Sequence, residues 1–290
     1  MKALITGGAG FVGANLIKRL VGLAHFTHSI DNYSTGLTKN HQAGCEYIYG
    51  DISENDWNQR HLPVGIDVVF HLAAMARIQP SFSNPSKYFT VNTTGTLNII
   101  NWCLDHDSAM IYAGTSSKHA GRLENPYTFS KDVGEDLVKL YQKHFNLKAS
   151  IARFYNVYGP HQLLGSEHST LIGAWMNNIE NQKECVVYGD GEQTRDFTHV
   201  DDVTKALLLI VEKEAYGHSF ELGRGDPYSI NEVARMFDVC PTYLEGKRGE
   251  ARHSNRNILK KDDPTRKILG WQPEINLVDY INNYKSNKPE

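Results

Sequence analysis

The sequence predicts an α/β fold, a doubly wound parallel sheet with a second, smaller C-terminal α/β lobe, and three observations predict it. Short β-rich runs alternate with helical patterns up to about residue 155. The strand cores are apolar throughout, as in Val68-Val69-Phe70-His71-Leu72-Ala73-Ala74, which suits a parallel sheet covered on both faces. Beyond residue 156 the rhythm changes to longer helices, loops rich in Gly, Pro, Asn and Asp, and few strands. Residues 1–156 are therefore expected to form a nucleotide-binding domain. Residues 157–290 are expected to cover the carboxyl ends of its strands, a return of some strands or helices to the first domain being left open.

The elements follow in order. Ala3 to Thr6 is the first strand, and it ends in Gly7-Gly8-Ala9-Gly10-Phe11-Val12-Gly13 ahead of the helical pattern Ala14 to Leu20. Glycine is needed where the chain turns tightly, where backbone approaches a pyrophosphate, and where helix packs close to strand. A helix N-terminus there offers unpaired N–H groups to phosphates. Strand-to-helix context is what separates such a turn from a merely structural glycine turn. Phe26 to Ile30 is the second strand, closed by Asp31, 18 residues beyond Gly13. A carboxylate at that distance holds the adenosine ribose hydroxyls. The residues that follow, Asn32, Tyr33 and Ser34, offer no cation for a 2′-phosphate, so NAD is expected rather than NADP. Tyr47 to Tyr49 is a third strand, followed by Asp51, which either bonds the adenine amino group or caps a helix. Val68 to Leu72 and Met110 to Ala113 are the fourth and fifth strands, and Ala149 to Phe154 the sixth.

Thr115-Ser116-Ser117 follows the fifth strand, which places hydroxyls at its carboxyl end. Tyr127 and Lys131 stand in Asn125-Pro126-Tyr127-Thr128-Phe129-Ser130-Lys131, at the start of a helical run reaching about Phe145. Their i, i+4 spacing puts both side chains on one helix face. A phenol with a reference pKa of about 10 needs a shift of about 3 units to accept a proton near pH 7. A neighbouring ammonium and a cationic nicotinamide both favour the phenolate. Taken without the upstream turn, the same pair reads more readily as an ordinary surface Tyr and Lys.

These motifs together resemble the extended short-chain dehydrogenases/reductases, in the NAD-dependent sugar-nucleotide epimerase/dehydratase family, and most of all their UDP-glucose 4-epimerase branch. The likeness runs nearly end to end. It includes Thr6 to Gly13, Asp31-Asn32-Tyr33-Ser34-Thr35-Gly36, Gly50-Asp51-Ile52, His71-Leu72-Ala73-Ala74, Tyr127 to Lys131, Arg153 to Pro160, Gly189-Asp190-Gly191 with Arg195-Asp196-Phe197, and Leu269 to Pro273. The resemblance implies a Rossmann domain in which Gly7, Gly10, Phe11, Val12 and Gly13 hold the pyrophosphate of NAD. It implies that Asp31 and Asn32 hold the adenosine ribose, that Asp51 and Ile52 contact adenine, and that Leu72, Ala73 and Ala74 lie along the cofactor. Ser116, Tyr127 and Lys131 would be the catalytic triad, with Lys131 also on the nicotinamide ribose. Asn156 and Arg195 would bind the substrate's diphosphate, Arg195 being alternatively a partner of Asp196 or Asp202. A further diphosphate cation falls at Lys247 or Arg248. The resemblance also implies a homodimer formed by helices at about residues 86 to 105 and 127 to 145, whose apolar faces could equally pack on the sheet.

Departures from the family pattern bear on the reaction. Related 4,6-dehydratases carry an Asp-Glu pair directly after the strand-end Thr, and related decarboxylases a Glu near it. Here the positions are Ser116-Ser117, or Ser117-Lys118 after a one-residue shift. An epimerase acting at C4 of a UDP-hexose, UDP-N-acetylhexosamine or UDP-uronic acid is the reading favoured. A reductase or dehydrogenase of the same family, or a non-catalytic NAD-binding protein, is the alternative. Ala120 stands where many relatives have tyrosine, and a specificity gate falls near the small Ser254.

Composition narrows the remaining classes. Of 290 residues, 30 are Lys or Arg and 33 Asp or Glu, a formal charge of −3 that gives no footprint for a polyanion. No run approaches the ~20 apolar residues of a membrane span, and the N-terminus turns to glycine too early for a signal peptide. A cytoplasmic enzyme is expected. Cys45, Cys103, Cys185 and Cys240 are scattered with neither CxxC nor zinc-type His spacing, so neither a disulfide scaffold nor a metal site is expected.

Overall fold

In the computed structural model, which describes residues 1–57, 59–250 and 263–287, β1 (Lys2–Thr6) lies inside the main sheet between β2 (Phe26–Asp31) and β4 (Val68–His71). β3 (Cys45–Tyr49) extends the sheet beyond β2. On the other side follow β5 (Ala109–Thr115), β6 (Ala149–Phe154) and β11 (Ser219–Leu222), giving the order β11-β6-β5-β4-β1-β2-β3 with every pair parallel. The order reverses between β1 and β4, and in open α/β sheets ligands bind in the crevice at that point. β1, β4 and β5 are almost wholly buried, as their unbroken apolar runs require.

Each face of the sheet is covered. Leu16, Ile17 and Leu20 of α1 (Phe11–Gly22) pack with Val203, Leu207 and Ile210 of α7 (Val200–Glu212) and with Trp271 on one side. On the other, Ile99, Ile100 and Cys103 of α4 (Gly95–Asp105) and Val138 of α5 (Pro126–Phe145) pack against Leu4, Val69, Met110 and Ile151. The helix expected at 86 to 105 is interrupted: α3 (Pro85–Phe89) passes through one π turn, Thr90–Thr94, before α4. That turn aims Asn92 inward. Its amide oxygen accepts from the Met75 N–H at 2.9 Å, and its amide nitrogen donates to the Met75 carbonyl and to Ser130 Oγ at 3.0 Å each. One buried side chain thus ties the loop after β4 to the residue before Lys131; π turns are frequent at such functional positions.

The second lobe has its own core, in which Tyr158, Ile172, Trp175, Val187, Phe197, Val233 and Leu277 are buried. The expectation of few strands beyond residue 156 is corrected: seven occur among the described residues from 156 onward, of two to four residues each, including β7 (Asn156–Tyr158) paired with β10 (Phe197–His199). Strands that short carry no readable alternation. β11 returns to the main sheet and α7 to the α1 side, so the chain crosses between the two cores more than once.

Candidate active site

A cavity of about 770 Å3 opens at the carboxyl ends of the central strands. Gly7, Gly10, Phe11, Val12, Gly13, Asp31, Asn32, Asp51, Ile52, Leu72, Ala73 and Ala74 all line it, as do Ser116, Tyr127, Lys131, Asn156, Arg195 and Lys247. Arg248 is not in its lining. The Arg248 guanidinium lies 3.9 Å over the Phe82 ring, whereas Lys247 reaches the cavity with Nζ 3.5 Å over the Tyr188 ring. Ser254 lies outside the described residues.

At one end the backbone itself makes the cradle. Gly7 has φ +76°, and a Cβ there would come within 2.9 Å of the Ala73 nitrogen. A Cβ on Gly13 would stand 2.3 Å from the Gly7 carbonyl oxygen, so helix and turn could not approach as they do. The α1 N-terminus has no side-chain cap, which leaves its first N–H groups for a phosphate. Asp31 is nearly buried, accepting from the Ala9 N–H at 2.9 Å and the Tyr33 N–H at 2.8 Å. Burial nevertheless pushes its carboxyl above the usual range. Asn32 donates to Asp51 at 2.8 Å, while the other Asp51 oxygen takes the Ser53 N–H and hydroxyl. Asp51 thus makes a local turn and still faces the cavity. A glycine cradle, an open helix end and a carboxylate at the next strand tip fit the pyrophosphate and ribose of a dinucleotide.

At the other end β5 runs two residues further than expected, to Thr115, and Ser116 begins a short 3-10 turn. α5 starts with Asn125 accepting from the Thr128 N–H at 2.8 Å and with Pro126 in its first turn, which fixes Tyr127 over the strand end. Burial pushes the Tyr127 phenol up, and the influences pulling it down are the Thr115 hydroxyl and the Arg77 charge. Burial pulls Lys131 down to about 7, opposed by Glu135 one turn further along α5. Its Nζ sits 4.1 Å over the Tyr112 ring, and Tyr112 donates to the Lys131 carbonyl at 3.0 Å. The charge acting on the phenol is thus Arg77, a residue the sequence reading passed over because it stands alone in the apolar run Ala73-Ala74-Met75-Ala76-Arg77. Its signal would have been a cation shortly after a strand of the switch point.

Arg195 and Asn156 meet partners other than the alternatives set out above. Among the described residues the ion pair of Arg195 is with Glu250. Asp196 accepts from the Arg224 and Gly225 N–H groups and Asp202 from that of Ile275, whereas Arg195 lies 3.6 Å from Glu250. Asn156 donates to the Asp196 carbonyl at 3.0 Å.

The comparisons place this geometry in a family. The sequence profile described as the NAD dependent epimerase/dehydratase family matches residues 3–223. The chain belongs to that family. A Methanocaldococcus jannaschii protein carrying a provisional UDP-glucose 4-epimerase name is 30% identical over 297 residues, covering 96% of this chain and 95% of its own. The UDP-N-acetyl-alpha-D-glucosaminuronate decarboxylase of Bacillus cytotoxicus is 31% identical over 257 residues, covering 81% and 78%. The crystal structure of Thermotoga maritima UDP-glucose 4-epimerase with UDP-glucose superposes at a TM-score of 0.91, with 25% identity and 99% of each chain covered. Other neighbours in the family are solved with NAD, and the cofactor of this family member is NAD. No described helix is long and apolar enough to cross a membrane.

Proposed function

We propose that this epimerase/dehydratase family member is an isomerase, an NAD-dependent nucleotide-sugar 4-epimerase that inverts C4 of a UDP-hexose through a transient 4-keto sugar. The observation that carries the reading is the strand end itself. Thr115, Ser116 and Ser117 stand beside Tyr127 and Lys131 with no carboxylate among them, and elimination of water would need an added acid and base there.

In this reading NAD, held by the Gly7 to Gly13 turn, Asp31 and Lys131, would supply hydride chemistry at C4 with no net redox change. Tyr127 accepts the proton of the C4 hydroxyl and later returns it. Ser116 hydrogen-bonds the same oxygen and holds it against the phenol. Lys131, seated over the Tyr112 ring with the Glu135 charge favouring its ammonium, holds the ribose next to the reacting carbon and favours phenolate when charged. Arg195 and Lys247, with Asn156, hold the diphosphate while the sugar turns over, since charge-assisted bonds to phosphate are strong and need not move. A homodimer through α4 and α5 belongs to the same reading; Leu140 and Phe145 of α5 remain exposed.

The test is incubation with a panel of UDP-sugars without added cofactor, following C4 configuration by proton NMR. The reading requires a C4 epimer to appear without accumulation of NADH and to vanish in Tyr127→Phe. Stoichiometric NADH release, or a 4-keto-6-deoxy product, would replace it with a dehydrogenase or a dehydratase.

A further inference from the structure

Arg77 is the cation the mechanism above leaves unused. Its place in the fold is unusual on three counts. It lines the cavity together with Tyr127, Ser116 and the loop segment Ser166 to Thr170, and its charge acts on the Tyr127 phenol. It holds φ at +115°, a backbone region that non-glycine residues enter at a cost of about 1–3 kcal/mol. That cost is tolerated where the surroundings dictate the conformation, and here they do: Met75, two residues earlier, is gripped at both backbone groups by Asn92.

The third count is its charge. The Nε of Arg77 donates to the His168 carbonyl at 2.7 Å, and neither terminal nitrogen has a hydrogen-bond partner among the described residues. No described carboxylate lies within ion-pair distance of it. Glu167, on the adjoining loop, is turned to His168 instead, 3.6 Å from its Nε2. The aromatic rings of Tyr88 and Tyr127, 6.4 Å apart and edge to face, are the titratable groups whose charge acts on it. A half-buried guanidinium that lines a cavity with four of its five N–H donors unspent is placed to take an anion there through charge-assisted bonds. Among the described residues nothing in the chain supplies that anion, and the cavity is the direction from which one can arrive.

Building on the 4-epimerase reading, we propose that Arg77 recognises a carboxylate on the substrate's sugar, carried next to the reacting C4, so that the enzyme acts on an acidic nucleotide sugar in preference to a neutral hexose. Two attachments put a carboxylate there: C6 of a hexuronate, on the neighbouring C5, and an acidic ether on O3. Both leave the C4 hydroxyl free for Tyr127. The planar fork of Arg77 matches a carboxylate through two parallel N–H···O bonds, which a neutral hydroxymethyl group cannot accept with equal strength.

The experiment measures binding and turnover side by side on the full chain with NAD bound. Calorimetric Kd values are compared for UDP-glucuronate, UDP-N-acetylmuramate and UDP-glucose, on the wild type, on Arg77→Ala, and on Arg77→Gly, which suits the positive φ and guards against a backbone artefact. The wild type is expected to bind one acidic sugar about 10- to 100-fold more tightly than UDP-glucose, the worth of one charge-assisted pair. Both variants should bring that ratio to near one, and whichever acidic sugar shows the preference identifies the position of the carboxylate. Equal binding of acidic and neutral sugars by the wild type would overturn the proposal. So would a loss in the variants that is the same for all three, which would place Arg77 on the diphosphate or on the phenol alone. The 4-epimerase reading fails separately. Release of CO2 with a pentose product from UDP-glucuronate would sink it while leaving the carboxylate assignment to stand or fall on the Kd ratio.

Discussion

Replacing Lys131 by methionine tests the electrostatics of the site without touching its shape. Lys131 is 3% exposed, and burial lowers its ammonium from an ordinary value of 10.5 to about 7. Between those two values the unfolded chain holds the proton and the folded chain has released it, so stability rises with pH across that window and is lowest below about pH 7. At 1.36 kcal/mol per pKa unit the full swing has a ceiling of about 5 kcal/mol. The groups facing Lys131 do not titrate in the middle of the window. His71, buried between Thr6 and Thr96, is held down to about 3, and the Tyr112 and Tyr127 phenols are both pushed up by burial. Methionine keeps the length of the side chain and removes the proton. Urea unfolding of cofactor-free protein at pH 6, 7.5 and 8.5 is the assay. Wild-type stability should climb between pH 7.5 and 8.5 by up to about 1.4 kcal/mol more than that of Lys131→Met, and at pH 6 the variant should be the more stable of the two. Identical slopes would show that the ammonium stays charged in the folded protein and would refute the argument from burial. The same variant should lose about 100- to 10,000-fold in turnover, the range for a group that supports proton transfer.

Three further outcomes follow from the geometry. Tyr127→Phe should lower kcat by at least about 100-fold while the bound NAD is retained, measured by turnover and by cofactor absorbance after gel filtration; unchanged turnover would remove the phenol from the chemistry. Gly13→Ala forces a methyl to within 2.3 Å of the Gly7 carbonyl, so it should abolish NAD retention and cost about 1–3 kcal/mol in urea unfolding, as overpacked cores do. Glu135→Ala leaves Arg153, bonded to Glu135 at 3.0 and 2.9 Å, without one of its two buried carboxylates, and a loss of about 3–5 kcal/mol in thermal or urea unfolding is expected. Because Glu135 is also what holds the Lys131 pKa up, the basic limb of the pH–rate profile should move to lower pH in a milder Glu135→Gln variant.

How far the sequence could be read depended on whether a contact is local or long-range. The glycine turn, Asp31 and the Tyr127/Lys131 pair are legible because each is a short stretch whose spacing alone fixes its geometry: 18 residues to a strand tip, four residues along a helix face. The two-to-four-residue strands after residue 156 were not, since two residues define no period. Nor was the choice between Lys247 and Arg248, neighbours in a loop that differ only in which aromatic ring each meets, Tyr188 or Phe82. Lys118 makes the same point from the other side. In sequence it is a loop residue after Ser117, yet it closes on Asp132 and Glu135 of α5, within a buried network that reaches Arg153, Glu221 and His119. Asp132 and Glu135 follow Lys131 within one turn of α5, so the residues after Ser116 are fastened to the helix that carries Tyr127 and Lys131. Only the fold brings those charges together, and only their sum decides whether Lys131 is an ammonium at neutral pH. Arg77 belongs to the same class. Its position is dictated by Asn92 from a π turn 15 residues later and by His168 from the second lobe, neither of which a local motif could announce. The family's shared motifs are thus short and local, while the surroundings of Arg77, the residue proposed to select the substrate, are contacts between distant segments.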